Sequence, residues 1–202
     1  MITVVDYGAG NLRSVANTLS ELGAPYEVVR DSAGVQRAHK IILPGVGHFG
    51  QMMRSLETLV LRDALLERVR RGVPFLGICL GLQALFEGSE EAPEVVGLGL
   101  YPGKVQRFGG DVRVPHMGWN EIEMQPGSSP SKLLANAGSP LYLYFAHSYY
   151  APVAPATVAT CTYSVQYTTV LEEGNVFGVQ FHPEKSGAAG LRVMKNFVDL
   201  PC

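Results

Sequence analysis

Short apolar runs and helical spacing take turns through the first half of the chain. Residues 2–6 (ITVVD) form a β-branched run that predicts a strand buried on both faces. The period then changes, with Leu12, Val15, Ala16, Leu19 and Leu22 falling on one helical face. Gly23 and Pro25 stop that helix. Further strands are predicted over residues 26–30, 40–43 and 73–78, and a helix over about residues 51–71 with Met52, Leu56, Leu59 and Val60 on one side. The second half reads as strands over residues 97–108, 118–124, 141–146, 157–161, 166–171 and 176–181, several of them pairing antiparallel. Residues 125–131 and 151–156 are loops by composition, and a helix over about residues 188–200 closes the chain.

Alternating strand and helix implies an α/β protein, with a mostly parallel sheet covered by helices on both faces and additional antiparallel strands. At 202 residues, one domain spanning 1–202 is expected. In such sheets ligands bind beyond the carboxyl ends of the strands. Residues 6–11, the glycine-rich stretch Pro44 to Gly50 and the stretch Cys79 to Gly81 all fall at such ends.

Composition narrows the function by exclusion. Sixteen basic and 18 acidic residues give a net charge of -2, so nothing draws the whole chain to nucleic acid or an anionic membrane. A local basic site for a phosphorylated metabolite stays open. Cys79, Cys161 and Cys202 are odd in number and widely spaced, which suggests neither a disulfide framework nor a zinc site. The start MITVVDYGAG lacks the pattern of a signal peptide, and no apolar stretch is long enough for a membrane span. A cytoplasmic protein is expected. PGVG lacks the phosphate-loop pattern GxxxxGK[ST], and no GxGxxG opens a helix, which argues against a nucleotide site.

One stretch carries reactive chemistry. GICLG (Gly77 to Gly81) has the form small-x-nucleophile-x-small, between a strand and a helix. This is a sharp turn with Cys79 at its apex. The following helix amino terminus should favour the thiolate, and the Leu80 amide is available to an oxyanion. Cys161, inside TVATCTY, reads as a buried structural thiol, and Cys202, the last residue, as frayed and inert. Of five histidines, His182 follows an apolar strand in FGVQFHPE. In extended chain Glu184 points to the same side as His182 and can fix its tautomer. Backbone amides of Gly45, Val46 and Gly47 are the expected second half of an oxyanion hole. His116 and His147 read as structural or interface residues. Taken alone, Glu87, Glu90, Glu91 and Glu94 read as a solvated face.

GICLGLQ, PGVG and FHPE together make the chain resemble the class I glutamine amidotransferases over essentially its whole length. VDYGAGNLRSV, PGVGHF, PHMGWN, FAHSYY and GVQFHPEKS resemble, more narrowly, the glutaminase subunits of imidazole glycerol phosphate synthases. The resemblance implies a flavodoxin-like three-layer fold and hydrolysis of L-glutamine through a Cys79 thioester, with His182 and Glu184 completing a triad. It implies that Gln83, Glu91, Ser148 and Tyr149 hold glutamine. It implies no cofactor and no metal. The implied partner is a (β/α)8-barrel cyclase subunit, which takes the ammonia and makes imidazole glycerol phosphate and AICAR in histidine biosynthesis. Asn11, Trp119 and Lys185 would face that partner, although Trp119 alone could also be a core aromatic. Three other readings remain: a glutaminase serving a different synthase, a stand-alone cysteine hydrolase, and a catalytically silent subunit.

Overall fold

In the computed structural model, residues 1–9 and 11–201 are described. Gly10, within the expected YGAGN loop, and Cys202, expected to fray, lie outside the described residues. In chain order the first half consists of β1 (Ile2–Val5), α1 (Leu12–Glu21), β2 (Tyr26–Val29), α2 (Ser32–Gln36), β3 (Ile41–Gly45), α3 (Phe49–Thr58), α4 (Leu61–Arg70), β4 (Phe75–Cys79), α5 (Leu80–Gln83) and β5 (Phe86–Ser89). The second half adds β6 (Tyr101–Arg107), β7 (His116–Met124), β8 (Leu141–His147), β9 (Tyr149–Tyr150), β10 (Thr157–Tyr163), β11 (Val165–Glu173) and β12 (Val176–Val179). A 3-10 turn, Pro183–Lys185, then leads to α6 (Gly187–Asp199).

Nine strands form one sheet in the order β2-β1-β3-β4-β12-β11-β10-β7-β8. Strands β1 to β4 and β12 run parallel, whereas β11, β10, β7 and β8 extend the sheet antiparallel. A small second sheet, β5-β6-β9, stands beside it. The central strands are buried on both faces because each sits between layers of helix. Their side chains alternate: Val5 and Leu43 pack with Phe49, Met52 and Leu65 on one face, while Val4 and Ile42 pack with Val15, Leu19, Met194 and Phe197 on the other. Helices α2 to α5 cover the first face and α1 with α6 the second. This is the expected α/β, flavodoxin-like three-layer architecture with antiparallel additions.

Several elements depart from the sequence pattern. The single helix expected over residues 51–71 is two helices. Val60 adopts a left-handed φ of 55° and ends the run, and Leu61 restarts a buried face. No glycine or proline marks the break, so apolar spacing runs through it unchanged. The short α2 is capped by the Asp31 side chain, which accepts from the Gly34 amide at 2.7 Å. Strand β9 has only two residues, and β5 (FEGS) has no β-branched residue and contains a glycine, so neither carries a strand signal.

The topology places four carboxyl ends side by side. Strands β1, β3, β4 and β12 are successive neighbours, so the loops after them converge. Ile78 pairs with Val179 and Gly45 with Cys79. The residues after these pairs face one another across the top of the sheet.

Candidate active site

Cys79 ends β4 with φ 55° and ψ -106°, a backbone conformation that non-glycine residues rarely adopt. The strain is held in place by close packing around the turn. A Cβ on Gly77 would lie 2.4 Å from the Gly81 carbonyl oxygen, and one on Gly81 would lie 2.0 Å from that of Leu43. Both flanking glycines are therefore required by backbone contact, as the elbow motif implies. The helix behind the elbow is only four residues long. Its dipole is correspondingly weak, so the expected stabilisation of a thiolate by a helix end has little basis here.

His182 reaches the elbow from β12, beside β4 in the sheet. Its backbone is pinned: its amide donates to the Tyr144 carbonyl at 2.9 Å and its carbonyl accepts from the Ser186 hydroxyl at 2.7 Å. His182 Nδ1 and Glu184 Oε1 are 2.8 Å apart, with the two side chains 3% and 0% exposed. The route differs from the extended chain expected from sequence. The 3-10 turn Pro183–Lys185 folds Glu184 back toward His182. Asn11 Nδ2 donates to the same Glu184 oxygen at 3.2 Å, while Oε2 is buried without a hydrogen-bond partner among the described residues. With Nδ1 engaged by Glu184, only the other ring nitrogen of His182 is left to face Cys79, whose sulfur acts on the imidazole electrostatically. Burial alone would push the His182 pKa down, but the Cys79 sulfur and the Glu184 carboxylate outweigh it and raise the pKa to about 10. This arrangement holds a proton on the imidazole beside the sulfur.

A cleft of about 190 Å³ opens in front of Cys79. Val46, Gly47, Leu80, Gln83, Glu91, Ser148 and Tyr149, all singled out from sequence, line it. Gly45 lies beneath, packed so closely that a Cβ there would come within 2.6 Å of Leu80 Cβ. The Val46 amide donates to the Tyr7 hydroxyl at 3.3 Å, so this expected oxyanion donor already has a partner. Glu91 is not a free surface carboxylate: its Oε2 accepts from the Phe49 amide at 2.7 Å, at the amino end of α3. Glu87, Glu90 and Glu94 are exposed, as a solvated face requires, and Glu87 and Glu90 also accept from the amides of Gly103 and Arg107.

Three residues in or behind the cleft are not assigned to it by the sequence reading. Gln180, fully buried, donates from Nε2 to Cys79 Sγ at 3.6 Å. His147 lines the cleft, with Nδ1 and the Tyr149 carbonyl 2.8 Å apart. Tyr7 underpins the Val46 loop, and burial raises its pKa to about 12. A buried glutamine within an apolar strand end is itself a signal, because an amide is buried only where it finds partners. Among the described residues no group of three or more His, Cys, Asp or Glu could hold a metal ion.

Of the three residues expected at a partner interface, two meet around Tyr144 and the third bonds Glu184, the neighbour of Lys185 in the 3-10 turn. Trp119 is 55% exposed, which removes the core-aromatic alternative, and meets Tyr144 edge to face at 6.2 Å. Lys185 Nζ lies 5.8 Å from the same Tyr144 ring, so Trp119, Tyr144 and Lys185 make one patch. Asn11 instead contacts Glu184. Cys161 is buried, as expected, and burial raises its thiol pKa.

Comparison with known proteins agrees with this geometry. Residues 3–200 match the family model for class-I glutamine amidotransferases. The HisH subunit of imidazole glycerol phosphate synthase from Methanothermobacter thermautotrophicus is 48% identical over 201 residues, covering 99% of this chain and 98% of that protein. The HisH subunit from Thermococcus kodakarensis is 46% identical, covering 98% of each chain. Among solved structures, a glutamine amidotransferase superposes with a TM-score of 0.76 at 19% identity, covering 98% of both chains. The glutaminase domain of Trypanosoma brucei CTPS gives 0.65 at 15%, covering 100% of this chain and 94% of that one, and both likenesses bear on the fold alone. The chain belongs to the class-I glutamine amidotransferases, in the branch of the imidazole glycerol phosphate synthase HisH subunits.

Proposed function

We propose that this chain, acting as one amidotransferase domain over 1–202, is the glutamine-hydrolysing subunit of an imidazole glycerol phosphate synthase. The observation that carries the proposal is the Cys79–His182–Glu184 constellation opening onto a cleft lined by Gln83, Glu91, Ser148 and Tyr149. The Cys79 thiolate attacks the γ-carbonyl carbon of glutamine and forms a tetrahedral oxyanion. The Leu80 amide, with amides of Gly45, Val46 and Gly47, receives that charge. The His182 imidazolium gives its proton to the departing nitrogen, and ammonia leaves a glutamyl thioester on Cys79. Neutral His182 then takes a proton from water, the resulting hydroxide attacks the thioester, and the thiolate is regenerated as glutamate departs. Glu184 keeps the imidazole in register throughout. In the cleft, Glu91 pairs with the ammonium of the substrate while Gln83, Ser148 and Tyr149 hold its amino-acid end.

In this reading the ammonia passes to a (β/α)8-barrel cyclase subunit docked over Asn11, Trp119 and Lys185. An exposed tryptophan flanked by a cation is a suitable anchor for such a partner. Asn11 adds a direct link from that surface to Glu184. The site of action is the cytoplasm. No helix among the described residues is long and apolar enough to cross a membrane, which fits that placement.

The test is glutamate release from glutamine by the purified chain, alone and then with the barrel subunit and its nucleotide ligand, repeated with Cys79→Ala. A low rate alone, a large rise in the mixture and loss in the variant are expected. A high rate alone, unmoved by the partner, would leave a cysteine amidase but contradict the synthase assignment. No release from a proven complex would favour a silent subunit.

A further inference from the structure

Gln180 is fully buried directly behind the nucleophile, although it belongs to neither the triad nor the cleft lining. Sheet register puts it there. Strands β4 and β12 pair Ile78 with Val179, so the next residues, Cys79 and Gln180, sit side by side at the carboxyl ends. Its amide could in principle present either end to the sulfur. The surrounding hydrogen bonds leave one choice. The Tyr149 carbonyl can only accept, and Gln83 lies 2.7 Å from it, so Gln83 must direct Nε2 there. The second proton of that same Nε2 points to the Gln180 oxygen at 3.1 Å, which must therefore accept. Gln180 Nε2 is left facing Cys79 Sγ at 3.6 Å. His147 Nδ1, 2.8 Å from the Tyr149 carbonyl, fixes the far end of this chain of bonds.

An amide N–H aimed at sulfur discriminates between the two forms of the group. A thiol accepts weakly, whereas a thiolate accepts a charge-assisted bond. We propose that Gln180 is a positioning residue for the nucleophile, its amide holding the Cys79 sulfur as a thiolate while Gln83 and the Tyr149 carbonyl hold that amide in its donating orientation. The proposal rests on Cys79 being the nucleophile. It also compensates for the short helix behind the elbow, whose four residues offer little dipole. Gln83 and Tyr149 line the substrate cleft as well, so the groups that meet glutamine are those that orient the donor to the sulfur.

The test follows the rate of Cys79 alkylation by iodoacetamide against pH, with the modified peptide located by mass spectrometry. Relative to the unaltered chain, Gln180→Leu should move the midpoint upward by about one pH unit, the size of one charge-assisted bond. Gln180→Glu keeps the shape and still accepts from Gln83, but turns an acceptor toward the sulfur, and should move the midpoint further. Gln83→Leu leaves Gln180 free to turn and should give a smaller shift of the same sign. In the partnered enzyme, the Gln180 variants should lower kcat while KM for glutamine stays within about two-fold. Folding is checked by thermal melting, and Gln180→Glu decides the matter if the leucine variant does not fold. Unchanged alkylation midpoints in folded variants would overturn the proposal and leave Gln180 as core filling. Alkylation needs no glutamine turnover, so this outcome is independent of whether the chain is a glutaminase.

Discussion

His182 and His147 are both buried, at 3% and 7% exposure, yet the protein pushes them in opposite directions. His182 stands between the Cys79 sulfur and the Glu184 carboxylate, and is raised to about 10 against the pull of burial. His147 has a backbone carbonyl as partner at Nδ1, and burial takes it down to about 3. His116, stacked on Tyr163 at 4.0 Å and on Phe145 at 5.0 Å, is lowered by burial to about 4. Burial alone therefore yields a neutral imidazole, and it takes the Cys79 sulfur together with the Glu184 carboxylate to keep a buried imidazole protonated. In the proposed mechanism the first region transfers protons. The second is an aromatic wall supporting it, with Phe108, Tyr150 and Tyr167 packed around the two neutral rings.

The largest way to break this contrast is to remove the sulfur. Cys79→Ala should abolish glutamate release, by about 10⁵-fold or more. It should also bring His182 down from its raised value, an effect readable by NMR titration of the ring. Next comes Glu184→Gln, which keeps a partner at Nδ1 but removes the charge. A loss of about 10²- to 10⁴-fold in kcat is expected, with KM for glutamine little changed.

The two regions should then separate by pH. His182, raised in the folded state, contributes stability that is fully present below its ordinary value of 6.5 and is lost as pH rises toward about 10. His147 and His116, lowered, contribute stability that is present above 6.5 and is lost as pH falls toward about 4 and below. Thermal melting from pH 4 to 10 should show both limbs. Replacing His116 with Phe should flatten the acid limb and leave the alkaline limb alone. A change in the alkaline limb would mean that the aromatic wall and the triad are not separable.

The smallest expected effect concerns the opposite wall of the cleft. The Val46 amide donates to the Tyr7 hydroxyl, a bond that competes with donation to an oxyanion. Tyr7→Phe releases the amide, and glutamate release by the unpartnered chain should rise roughly five-fold, the equivalent of one ordinary hydrogen bond of about 1 kcal/mol. A fall instead would mean that the hydroxyl positions the loop for catalysis.

What could be read in advance followed from local constraint. The strands β1, β3, β4 and β12 were legible because apolar β-branched runs bounded by glycines have few other uses, and their carboxyl ends carry the site. The elbow was legible because Gly77 and Gly81 have no room for a side chain. The break at Val60 was hidden, since a left-handed valine carries no compositional mark. The turn that brings Glu184 to His182 was read as extended chain, because a sequence separation of two suits either geometry. Gln180 was missed because its role depends on the β4–β12 register and on Gln83 and Tyr149, 97 and 31 residues away by subtraction of their positions. Long-range pairing of this kind is set by topology rather than by local pattern.

The most direct single test of a glutamine-specific nucleophile at Cys79 uses a glutamine analogue that carries an electrophile in place of the side-chain amide. It is incubated with the chain and its barrel partner, and the modified residue is located by mass spectrometry. One equivalent bound at Cys79, prevented by glutamine and absent in Cys79→Ala, is the expected result. Labelling at Cys161 or Cys202 instead, or labelling of Cys79 that glutamine does not prevent, would contradict it.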